Sequence, residues 1–165
     1  MRMIDLKQLK GEAQKRKKEN KKYFERLKSK KSHDVDEAFA EQHEHVFAHT
    51  DCLTCANCCR GTGPLFTQRD IERLASRLKM KPGSFVEKYL RVDEDNDYVL
   101  QSVPCPFLGD DNYCSVYDDR PKACRQYPHT DHSPMLQILD ITLKNTAICP
   151  AVYEVVERMK KYFPA

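Results

Sequence analysis

The chain has 165 residues and a mass of 19.3 kDa, with 32% charged residues, 9% aromatics and no tryptophan. That size suits one domain with an extension, and no run approaches the roughly 18 apolar residues of a membrane span. The formal net charge of +3 conceals a segregation: residues 1–31 carry 13 Lys/Arg against 4 Asp/Glu, and the remainder carries 15 against 21.

The polarity pattern predicts a lysine-rich helix from residue 4 to about 30, with Ile4, Leu6, Leu9, Ala13, Tyr23, Phe24 and Leu27 as its few apolar positions. Its middle, Lys15–Lys22, is almost wholly polar, so the helix is expected to dock at its ends or fray. Ser32 and Asp34 are candidate caps for a second helix over roughly 35–48, with Val35, Phe39, Val46 and Phe47 near one face. Gly61-Thr62-Gly63-Pro64 reads as a turn. Thr67-Gln68-Arg69-Asp70 is an acidic form of the capping box, opening a helix that carries Ile71, Leu74, Ala75 and Leu78. Pro82 suits a helix start, and Leu90-Arg91-Val92 and Tyr98–Val103 flank an Asp/Asn-rich turn as a short hairpin. From Pro104 to about Pro134 the chain is irregular, with Pro121 opening a short helix that bears Cys124. Two helices near 135–146 and 150–162 complete it, with Ile138, Leu139, Ile141, Leu143, Val152, Val155, Val156 and Met159 as buried candidates.

These elements predict a mainly α (α+β) protein: a small helical domain with a short hairpin and irregular cysteine-rich loops, preceded by a basic N-terminal helix. Composition places a boundary between a basic arm, 1–33, and a cysteine-bearing domain, 34–165.

Eight cysteines carry the chemistry: Cys52, Cys55, Cys58 and Cys59 in a C-x-x-C-x-x-C-C run, then Cys105, Cys114, Cys124 and Cys149. Four thiols in eight positions suit a thiophilic metal better than mutual disulfides. C-x-x-C is a zinc hook, and three cysteines at that spacing also hold three corners of a 4Fe–4S cluster in ferredoxins. Zinc or iron is therefore expected, in one site or two. No apolar run follows the first residues as in a secretory signal, so the expected compartment is the reducing cytoplasm, where such patterns favour metals. An exported, disulfide-stapled domain is the competing reading of the even count. Arg60, Arg120, Lys122 and Arg125 stand near cysteines and are candidates to offset thiolate charge, against a plainer role in surface ion pairs. His43, His45, His49, His129 and His132 form a secondary set of candidate ligands.

The ordered blocks Cys52-Leu-Thr-Cys55-Ala-Asn-Cys58-Cys59-Arg60, Gly63-Pro64-Leu65-Phe66-Thr67 with Asp70-Ile71, Cys105-Pro106-Phe107-Leu108, Cys114-Ser115-Val116-Tyr117, Arg120–Pro128 and Cys149-Pro150 resemble the CxxCxxCC cysteine-cluster family. This family is also called YkgJ-like and is described as a zinc- or iron-chelating domain. The resemblance covers about 52–150, includes all eight cysteines and implies metal chelation. It departs at Ala56, a position often Gly in the family, where Gly would permit a positive φ that Ala resists.

Two other functions compete with a metal-binding role in structure or redox sensing. One is a metal-dependent modifying or redox enzyme with an open coordination position, around which Tyr117, Arg120, Arg125, Tyr127 and His129 are the polar groups to test. The plainer role for those side chains is packing, and no residue is assigned to catalysis or to an organic cofactor. The other is a binding module that contacts nucleic acid through residues 1–31, the less favoured partner beside the metal ion.

Overall fold

A computed structural model describes residues 3–165; Met1 and Arg2, the first two residues of the expected basic arm, lie outside the described residues. In chain order the elements are α1 (Leu6–Leu27), α2 (Ser32–Phe47), α3 (Cys52–Cys55), α4 (Asn57–Gly61), β1 (Leu65–Phe66), α5 (Gln68–Arg77) and α6 (Pro82–Tyr89). There follow β2 (Leu90–Val92), β3 (Tyr98–Leu100), α7 (Lys122–Gln126), α8 (Leu139–Asn145) and α9 (Pro150–Tyr162), with single 3-10 turns at Tyr117–Asp119 and Met135–Gln137. The protein is mainly α with one small antiparallel sheet. None of the described helices is long and apolar enough to cross a membrane. The chain divides into two compact units, Met1–Asp51 with Pro128–Ala165, and Cys52–Tyr127.

The first unit is helical. Asp5 accepts from the Lys7 N–H at 2.8 Å and opens α1, satisfying one of the amides that a helix start leaves unpaired. The helix is continuous, and its buried residues cluster toward the ends: Leu9 and Ala13 at one, Asn20, Tyr23, Phe24 and Leu27 at the other. Residues 14–19 between them are exposed. Tyr23 is tied down at its polar tip, its hydroxyl shared between the Phe163 carbonyl at 2.7 Å and the Met159 carbonyl at 3.1 Å.

Helix α2 starts earlier than expected. Lys31 occupies the cap position with no side-chain bond, so neither Ser32 nor Asp34 caps it. Asp36 works across the chain instead, accepting from the Ser133 hydroxyl at 2.6 Å and the Met135 N–H at 2.8 Å. Leu27, Val35, Phe39 and Val46 pack with Met135, Leu139, Val152, Val155, Val156 and Met159 in one core. Ile141, expected to be buried, is 50% exposed. The turn at Met135–Gln137 delays the start of α8 to Leu139, and the shorter helix presents Leu139 and Thr142 inward.

The second unit sets α5 and α6 with a sheet of order β1-β3-β2. The expected hairpin is present, pairing Leu90 with Leu100, Arg91 with Val99 and Val92 with Tyr98. Strand β1 adds Leu65 opposite Val99 and Phe66 opposite Tyr98. The capping box at Thr67 forms in full: the Asp70 N–H donates to the Thr67 hydroxyl, and the Asp70 carboxylate receives the Thr67 N–H. Phe66, Ile71, Leu74, Ala75, Phe85, Leu90, Leu100, Phe107 and Val116 form the core of this unit. Phe107 and Val116 belong to the irregular cysteine-bearing stretch, so that stretch is anchored although it has little regular structure.

Candidate metal centre

Local backbone geometry arranges the C-x-x-C-x-x-C-C run. Helix α3 is one turn carrying Cys52 and Cys55, and α4 is another carrying Cys58 and Cys59. Ala56 joins them in the left-handed region, φ 50° and ψ 15°, and is only 4% exposed. The positive φ that glycine would supply is thus adopted here by alanine, at a cost of about 1–2 kcal/mol for an L-residue. The Ala56 N–H donates to the Cys52 carbonyl at 3.0 Å, and its own carbonyl receives the Arg60 N–H at 3.3 Å. Both helical turns are therefore locked to the joint.

The next two cysteines come from a tight loop. The Cys105 N–H donates to the Cys59 carbonyl at 2.8 Å, tying the loop directly to the first motif. Within the loop Leu108 and Cys114 form an antiparallel bridge. The turn closes through Gly109 N–H to Tyr113 O at 2.8 Å and Asn112 N–H to Gly109 O at 3.0 Å. Asn112 takes a positive φ of 68°, which Asn tolerates better than most residues. Its side chain then reaches back to the first motif: the amide donates to the Thr54 carbonyl at 3.3 Å, and its oxygen accepts from the Arg60 guanidinium. Arg60 also donates to the Cys55 carbonyl at 3.2 Å.

Cys124 arrives on α7, whose start is held by a buried carboxylate. Asp70, 1% exposed, accepts the Lys122 N–H at 3.1 Å and the Arg73 guanidinium at 2.8 Å. Arg73 continues to the carbonyls of Asp119 and Arg120 at 3.3 and 2.8 Å. Burial pushes the Asp70 carboxyl up. The donors from Thr67, Arg73 and Lys122 outweigh that and hold it below its ordinary value. The Arg120 guanidinium lies 3.7 Å from the centre of the Tyr117 ring and donates to the Tyr117 carbonyl at 2.8 Å.

The thiols of Cys59, Cys105, Cys114 and Cys124 sense one another. None is in a disulfide, and all four are partly buried. Burial drives Cys124 up to about 12, and Cys59, Cys105 and Cys114 each oppose its ionisation further. Burial likewise raises Cys105 and Cys114, with Cys59 adding to both. Cys59 moves the other way, to about 7, chiefly because the Cys58 thiol bonds to it, with Arg60 and Arg120 assisting against burial. Four thiols from three chain segments thus share one electrostatic environment, in which the lowered Cys59 opposes ionisation of the rest.

Cys58 joins this group through Cys59, whereas Cys52 is exposed and Cys55 is half-buried. Cys149 belongs to the other unit, where it precedes α9 and its backbone carbonyl accepts the Tyr153 N–H at 3.1 Å. The candidate histidines belong there as well. His43 Nδ1 is bonded to the Thr130 hydroxyl at 2.7 Å, and its ring stacks on Phe47 at 4.3 Å. His45 pairs edge-on with His49 at 6.1 Å, and His129 with His132 at 6.0 Å. Sequence reading passed over Asn112 and Arg77. Arg77 favours Cys114 ionisation while it bonds Asp119 at 2.9 Å and the Ser115 carbonyl at 3.2 Å.

Among the described residues, no three His, Cys, Asp or Glu side chains already stand as a group that could hold an ion. The donor chemistry nevertheless fits a thiophilic metal. The thiols oppose one another's ionisation, and a cation among them would remove that opposition.

The structure therefore defines a small, mainly helical protein with seven of its eight cysteines on a loop-rich unit. Residues 51–150 match the profile of the CxxCxxCC family, a zinc- or iron-chelating domain, and the chain belongs to that family. No curated protein and no solved structure is significantly similar to it.

Proposed function

We infer that the Cys52–Tyr127 unit holds zinc or iron, the latter as a thiolate-bound ion or an iron–sulfur cluster. Cys59, Cys105, Cys114 and Cys124 are the principal ligands in this reading. Cys58, Cys55 and Cys52 are the adjoining thiols from which a second metal or a larger cluster would draw. Four thiolates satisfy tetrahedral zinc and equally the four corners of a 4Fe–4S cluster. The supporting observation is the mutual influence of those four thiols, brought from three segments around the hydrogen bond between Cys105 and Cys59. In this reading the protein works in the reducing cytoplasm, where thiolates persist. The centre serves structure or redox sensing, and Arg60, Arg77 and Arg120 offset its negative charge.

Anaerobic purification followed by elemental analysis and an absorption spectrum tests this. Stoichiometric zinc in colourless protein, or iron with a broad visible band, is the expected result. Cys114→Ser and Cys124→Ser should each lose most of the metal, whereas Cys149→Ser should keep it. Because ligation needs thiolates and Cys105, Cys114 and Cys124 are raised, uptake should release protons and weaken as pH falls. Wild-type protein carrying neither metal would end the proposal.

A further inference from the structure

The exposed side of α1 is chemically one-sided. At 3.6 residues per turn, Lys7, Lys10, Lys17, Lys18 and Lys21 fall within an arc of about 100° and extend over about 21 Å of helix. All five are exposed. The carboxylates in the body of the helix, Glu12 and Glu19, lie on the far flank, where they pair with Lys15 at 2.6 Å and Arg16 at 3.1 Å. Glu19 also pairs with Lys160 of α9 at 3.1 Å. None of the ion pairs among the described residues involves the five lysines. Glu25, paired with Lys28 at 2.7 Å, ends the stripe on its C-terminal side.

This separation is not required by folding. The apolar face, with Leu9, Ala13, Tyr23, Phe24 and Leu27, is already buried, and carboxylates at the stripe positions would have given i,i+4 pairs worth a few tenths of a kcal/mol each. The helix leaves its lysines unpaired instead. We propose that the Lys7–Lys21 stripe is a docking face for double-helical nucleic acid, gripping phosphates without reading base sequence. Projected on a duplex axis, the stripe's length spans about six base pairs. Lysine supplies point charges suited to phosphate, no aromatic side chain stands between them to stack on bases, and Gln14 is the single amide within the arc. A membrane surface fits less well, because a surface-seeking helix inserts an apolar face, and that face of α1 is occupied by the core.

Fluorescence anisotropy with labelled RNA and DNA duplexes of about 20 base pairs, titrated with the full chain across a salt series, tests the proposal. Two triple variants carry the same change in net charge: Lys10→Gln, Lys17→Gln and Lys21→Gln on the stripe, and Lys15→Gln, Arg16→Gln and Arg26→Gln on the far flank. The stripe variant should bind roughly tenfold or more weakly at low salt, with a log–log salt slope shallower by about 2 to 3. The flank variant should bind within a few-fold of the parent. Equal weakening by both variants would reduce the effect to net charge and overturn the assignment. So would failure of either duplex to bind at low salt, or binding to phosphatidylglycerol vesicles without binding to a duplex. Circular dichroism of both variants confirms that α1 is intact.

Discussion

Asp70 shows how one side chain can serve two levels of structure. As the third residue of α5 it completes a capping box with Thr67, a role its position in Thr67-Gln68-Arg69-Asp70 makes readable from sequence. Its second role depends on a chain segment 52 residues away, because the same carboxylate accepts the Lys122 N–H at the start of the helix bearing Cys124. No local pattern carries that information. Replacing Asp70 by Asn leaves shape but removes charge, so Arg73 and the Lys122 amide lose a charged acceptor. Asp70→Asn should cost about 2 kcal/mol, read as a lower denaturation midpoint with unchanged slope. Since the folded carboxyl is held below its ordinary value, its stabilisation is complete above about pH 4 and disappears as pH falls through the lowered value. In the parent protein the loss should appear as steeper acid destabilisation; in Asp70→Asn that increment should be absent.

Among the elements, the α3–α4 pair is the most revealing. A continuous helix through Cys52–Gly61 would line Cys52, Cys55 and Cys59 along one face; the left-handed joint at Ala56 interrupts it and re-aims Cys58 and Cys59. A β-branched side chain is far less compatible with that conformation than alanine. Ala56→Val should therefore lower stability by about 2 kcal/mol or more, whereas Ala56→Gly should remain within about 1 kcal/mol of the parent, because relief of strain offsets the lost methyl burial and added chain entropy. Thermal denaturation of both variants distinguishes this joint from an ordinary helix interior, where Gly costs more than a β-branched residue.

Periodicity and capping chemistry made α1, α5, α6, α9 and the β2–β3 hairpin legible, since each has a stripe, a cap or a turn of its own. Strand β1 was not legible, because two residues show no period and its partner β3 lies about thirty residues on. The thiol residues could be named from spacing; which of them share an environment could not, because that depends on the Asn112 and Asp70 contacts.

Across the whole molecule, the two units differ in what holds them together. The terminal one has a continuous apolar core built from four helices. The cysteine-bearing one has a smaller apolar core and leans more on turns and caps, so it has more to gain from a bound metal; structural zinc is worth on the order of 10–16 kcal/mol in small thiolate domains. Stripping the metal with a chelator should raise amide hydrogen exchange in residues 105–127 at least tenfold while leaving α2 and α9 close to their original protection. Uniform loss of protection in both units, or no change in either after verified metal removal, would contradict this division.

The terminal unit is also discontinuous in sequence, with residues 52–127 intervening between its two parts. During synthesis Val35, Phe39 and Val46 leave the ribosome long before Val152, Val155 and Met159, the residues that complete their core. The nascent chain must therefore carry an uncovered apolar face on α2 while the whole cysteine-bearing segment is translated. That segment can finish folding, and take up its metal, before the chain on either side of it has found its partner.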